Sequence, residues 1–76
     1  MKSTYSEPTT VWRLCHSDGH VARAMLIPHG FGCSFVWWID DSVEGADEFS
    51  DWASTMQHAD GMRLELMRSD WSESGN

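Results

Sequence analysis

Two arginines and one tryptophan have the types and spacing that suit a binding site. Arg13 and Arg23 stand at matching distances on either side of a turn at Ser17-Asp18-Gly19, and Trp37 lies in the next apolar run. Neighbouring guanidinium groups grip a carboxylate or phosphate through paired hydrogen bonds, and an indole stacks on a guanidinium or on a planar ligand. The chemistry implied is capture of a small anionic or aromatic ligand by Arg13, Arg23 and Trp37. The same cations have a structural use: acids from the stretch Asp40 to Asp51 of a second copy can meet them and close a dimer, with no further partner invoked.

His16 and His20 flank the same turn and face each other across it. Two imidazoles do not make a metal site, since zinc needs three or four protein ligands, and no third is evident, so no metal is assigned. His29 and His58 have no evident partner and read as surface residues. The acids Asp40, Asp41, Glu44, Asp47, Glu48 and Asp51 lack the alternation of a calcium loop and read as a solvated loop and helix start. Cys15 falls near the first turn and Cys33 at the opposite end of the sheet, beyond the roughly 7 Å Cα separation that a disulfide tolerates, so both are expected as free packing residues. No phosphate-cradling glycine loop or nucleophile elbow is present, and neither a catalytic residue nor a cofactor is assigned.

The elements that position these residues follow from periodicity. Thr10 to His16 alternates, and His20 to Ile27 follows after the Asp-Gly signal, which predicts a hairpin. A three-residue loop with Gly19 in a left-handed bulge pairs Trp12 with Ala24, Leu14 with Ala22 and Arg13 with Arg23, leaving one clean apolar face. Pro28 to Gly32 reads as a turn, and Cys33 to Ile39 as a third strand. In a simple meander Val36 and Trp38 join Trp12, Leu14, Ala22, Ala24 and Leu26 on one face. Val11, Val21, Met25, Ile27, Phe35, Trp37 and Ile39 then surround the arginines on the other. Trp52 to Met67 has helical spacing, with Trp52, Met56, Ala59, Met62 and Leu66 in one stripe, Ser50 as N-cap, and Gly61 as a weak point. The expected fold is α+β: a three-stranded antiparallel β-meander followed by one amphipathic C-terminal helix (βββα) over residues 10–71, between a loose arm at 1–9 and a tail at 72–76.

One helix covers one sheet face, yet both faces are apolar. Symmetric self-association is the economical cover, with Val11, Met25, Ile27, Phe35, Trp37 and Ile39 as the expected interface of a dimer or tetramer. The net charge of -7, from 12 acids against 5 bases, disfavours nucleic acid and suits a basic protein partner. No apolar stretch approaches the roughly 20 residues of a membrane span. The start, Met1 to Thr10, lacks the layout of a signal peptide, so a cytoplasmic protein is expected.

Trp12, the Asp18-Gly19 turn, Ala22-Arg23-Ala24, Leu26-Ile27-Pro28, Trp37-Trp38, and Glu48-Phe49 to Trp52 resemble small uncharacterised bacterial proteins, some carried on mobile gene cassettes. The resemblance covers about residues 11–71 and implies no activity, only a bacterial cytoplasmic setting. The expectation is a non-enzymatic, self-associating interaction module. The alternative is a binder of a small anionic or aromatic ligand.

Overall fold

The computed structural model describes residues 7–30 and 32–73. In chain order the elements are β1 (Thr9–His16), β2 (Val21–His29), β3 (Gly32–Ile39), β4 (Ser42–Phe49), α1 (Trp52–Met67) and β5 (Trp71–Glu73). The strands form one antiparallel sheet in the order β4-β3-β2-β1-β5. The expected three-stranded meander is therefore corrected to five strands and one helix. Acidic residues, glycine and alanine give β4 low strand propensity, but an edge strand pairs on one side only, and charge there discourages further pairing. β5 is too short to show a period, and it takes Ser72 and Glu73 from the stretch assigned to the tail. Thr9, assigned to the arm, begins β1. The remainder of the expected arm and tail, at 1–6 and 74–76, lies outside the described residues.

The first hairpin has the expected register: Trp12 opposite Ala24, Arg13 opposite Arg23 and Leu14 opposite Ala22. Its loop closes with the His16 amide donating to the His20 carbonyl at 2.8 Å and the Gly19 amide to the His16 carbonyl at 3.0 Å. Gly19 has φ of 104°, a conformation that a side chain would oppose.

The second hairpin corrects the assignment of faces. β2 continues through Pro28 to His29, which pairs with Gly32, and this sets Leu26 opposite Phe35, Ala24 opposite Trp37 and Ala22 opposite Ile39. The simple meander is out by one residue, and a slip of one exchanges every side chain between faces. Phe35, Trp37 and Ile39 therefore join Trp12 and Leu14 on the helix side, while Val36 and Trp38 turn away. Ala22 and Ala24 explain the outcome, because small residues in the central strand leave room for large rings on either side.

The core on that side consists of Trp12, Leu14, Ala22, Ala24, Leu26, Cys33, Phe35 and, from α1, Ala59. The Trp12 indole Nε1 donates to the Ala59 carbonyl at 2.8 Å, so the one polar atom of this large ring is satisfied beneath the helix. Asp51, not Ser50, caps α1, accepting from the Ser54 amide at 2.7 Å. The helix runs unbroken through Gly61. Its buried stripe is Thr55 and Ala59, with Trp52, Met62 and Leu66 packed beside them. Met56, expected in the stripe, is 39% exposed. Arg63 ties the helix to β5 through Glu73 at 2.6 Å.

Candidate functional site

Among the described residues, the feature left without a cover is the sheet face opposite α1. Alternation along the paired strands places Arg13 and Cys15 of β1, Val21, Arg23, Met25 and Ile27 of β2, Val36 and Trp38 of β3, and Ala46 and Glu48 of β4 on it. A bulge in β4 between the partners of Trp37 and Trp38 brings Val43 opposite Trp38, where it is 58% exposed. Val21, Met25, Ile27, Val36 and Trp38 are each only partly buried. α1 packs on the other side of the sheet.

Arg13 and Arg23 are cross-strand partners, as their spacing predicts. The Arg23 guanidinium lies 4.5 Å from the centre of the Trp38 ring, and its Nη1 is 3.8 Å from the Met25 sulfur. Among the described residues neither arginine has an ion pair, although acids outnumber bases in the chain. Trp37 lies on the helix side, 6.4 Å from Trp12, with its indole against Gly45. The structure thus brings Arg13 and Arg23 together and sets Trp38, rather than Trp37, beside them. The adjacent pair Trp37-Trp38 carried the signal, but only the register decides which ring shares the arginines' face. Of the expected interface residues, Met25 and Ile27 lie on this face. Phe35 is 0% exposed in the core, and Trp37, Ile39 and Val11 pack against that core.

Glu48 ends one corner of the face. Its carboxylate accepts from the Ser34 hydroxyl at 2.7 Å and lies 2.7 Å from His29 Nε2, which is 2.9 Å from the same hydroxyl. His29 lies on the surface as expected, but it has partners there. Glutamate, histidine and serine together suggest a catalytic relay, but both oxygens meet the same ring nitrogen, whereas a relay needs them on opposite nitrogens. The hydroxyl proton is directed at the carboxylate, and those hydrogen bonds, from Ser34 first and then His29, hold the Glu48 carboxyl below its ordinary value. The cluster holds an ionised carboxylate on this face.

At the other end of the sheet, His20 Nδ1 meets Asp40 at 2.6 Å and His16 Nδ1 meets Asp18 at 2.9 Å. Asp40 also accepts from the Val21 amide at 3.1 Å, which lowers its carboxyl's pKa, and its hydrogen bond raises that of His20. The acidic run is thus an edge strand flanked by a turn and a helix cap rather than a solvated loop. His58 keeps a side chain 36% exposed, but it too has neighbours: its ring sits 5.0 Å from both Phe35 and Phe49, and its Nε2 lies 3.7 Å from Asp47, within ion-pair range but too far for a hydrogen bond. Among the described residues no group of three or more His, Cys, Asp or Glu is placed to hold a metal ion. Both cysteines are free, Cys33 in the core and Cys15 half-buried on the uncovered face. No helix among the described residues is long and apolar enough to cross a membrane. No known protein family, no curated protein and no solved structure matches this chain.

Proposed function

We propose that this chain is a small acidic, non-enzymatic interaction module that self-associates through the sheet face opposite α1. The observation that carries the reading is that, among the described residues, a five-stranded sheet with two apolar faces has a helix on only one of them. Contiguous apolar surface of that kind is uncommon on soluble monomers unless it is a binding surface, and two-fold self-association is the most frequent way to cover it. The four long strands span about 19 Å across and about 26 Å along them, on the order of 500 Å² in projection, to which the short β5 adds little. With side-chain relief that approaches the roughly 800 Å² per partner of a standard interface. In this proposal the acidic β4 edge stays free for a basic protein, and the setting is the bacterial cytoplasm.

Light scattering across a concentration series tests the reading. Wild type is expected as a dimer or tetramer and Trp38→Asp as folded monomer; a monomeric wild type at every concentration overturns it. A second reading, capture of a small anion bearing an aromatic ring, is favoured by the stack of Arg23 on Trp38 beside Arg13. Phenyl phosphate is then expected to raise the melting temperature of wild type but not of Arg23→Ala, and the absence of any shift in wild type rejects it.

A further inference from the structure

On the uncovered face Arg23 of the central strand and Glu48 of the β4 edge lie diagonally opposite each other about Val36, at equal offsets from it. Val36 of β3 pairs with Met25 on one side and Ala46 on the other. Arg23 lies two residues from Met25 along β2, and Glu48 two residues from Ala46 along β4, in the opposite sense. With ordinary strand and residue spacings the two Cα atoms are about 17 Å apart, beyond the reach of an arginine and a glutamate within one chain. We propose, building on the self-association reading, that a second copy docks about a two-fold axis passing over Val36, seating Arg23 of each copy on Glu48 of the other.

The arrangement is self-complementary in the sense that a two-fold interface demands: where Arg23 meets Glu48, Glu48 meets Arg23. Face-to-face sheets pack about 10 Å apart, a gap that an extended arginine and a glutamate span together. The required axis runs oblique to the strands and crosses the two sheets steeply, nearer the orthogonal class of sheet packing than the aligned one. Both groups are prepared for it. Trp38 supports the Arg23 guanidinium, while Ser34 and His29 hold the Glu48 carboxylate. The other nearby acids are otherwise placed: Asp47 lies toward His58 on the helix side, Glu73 binds Arg63, and Asp40 binds His20.

Charge reversal tests the pairing. Arg23→Glu and Glu48→Arg are each expected to weaken the dimer at least about tenfold, as close interfacial charge pairs do when one sign is inverted. An equimolar mixture of the two variants is expected to restore dimers, with one chain of each kind, because every contact then joins opposite charges. Sedimentation velocity of each variant alone and of the mixture reads both effects, and recovery on mixing also shows that both variants fold. Single variants that associate like wild type, or a mixture that stays monomeric, overturn the pairing. If Trp38→Asp alone gives monomers while the charge variants do not, the pairing fails and the self-association reading stands. A wild type that never associates removes both.

Discussion

The two faces of the sheet use the same kinds of residue to different ends. On the helix side, small residues alternate with large ones, Ala22 and Ala24 beneath Trp12, Leu14, Phe35 and Trp37, and buried polar groups such as the Trp12 indole and the Thr55 hydroxyl have partners inside the chain. On the opposite side Met25, Ile27, Val36 and Trp38 stand in a row of medium and large residues, with two guanidinium groups that meet no carboxylate among the described residues. The first face is closed by its own chain. The second has apolar area and charge in excess of what the described residues complete, the pattern expected where hydrophobic burial gives affinity and charge gives orientation.

Adjacent residues on β3 give the sharpest way to break this comparison. Phe35→Ala should cost about 3–5 kcal/mol by leaving a cavity under α1, a large share of the roughly 4–11 kcal/mol available to a domain of this length. Val36→Ala should cost less than about 1.5 kcal/mol in the monomer, since no described element packs over its face. Urea unfolding of both variants, at concentrations where the protein is monomeric, checks the contrast. Equal losses would mean that the second face is as closely packed as the first.

A smaller effect concerns how the two β3 tryptophans are told apart. Trp37 lies so close to Gly45 that a Cβ there would come within 2.8 Å of the indole nitrogen, so the ring lies over bare β4 backbone. Gly45→Ala should therefore destabilise by about 1–2 kcal/mol through overpacking. Gly61, with open space around its would-be Cβ, should instead gain up to about 1 kcal/mol on substitution by Ala, since its helix loses a flexible residue. Thermal unfolding of the pair gives opposite signs if Trp37 is held as described.

Much of the fold was legible where local rules and burial agree. The Asp18-Gly19 loop, the first-hairpin register and the helix over Trp52–Met67 follow from turn chemistry and period alone. The face of Phe35 and Trp37 was not legible, because β3 is apolar at nearly every position and its register depends on whether β2 stops at Pro28 or passes through it. Had the chain shown alternation there, the face would have been fixed. β4 was hidden by its acids, whose spacing reads equally well as loop, and β5 by its length. The candidate site divides the same way: Arg13 and Arg23 lie on a hairpin that periodicity determines, and their aromatic neighbour on a strand that it does not.

The smallest effect sharpens the comparison at the rim, where the ends of the two hairpins meet through His20 and Asp40. The Asp40 hydrogen bond raises the His20 pKa above the ordinary 6.5, and the Val21 amide together with His20 lowers that of Asp40 below 3.8. A raised histidine contributes stability fully below 6.5 and loses it as pH climbs through the folded value, and a lowered carboxylate contributes above 3.8 and loses it as pH falls through its folded value. The contact is therefore strongest between these limits. Asp40→Asn keeps an acceptor for the Val21 amide and suits the φ of 55° at that position, so it removes mainly the charge. The difference in melting temperature between wild type and Asp40→Asn should be greatest between about pH 4 and pH 6.5 and shrink on either side. It should remain modest, because both side chains stand at least half exposed and solvent screens them. A difference that stays constant from acid to mildly alkaline pH would mean that Asp40 acts through backbone geometry alone, and that the rim, like the closed face, is held together without charge.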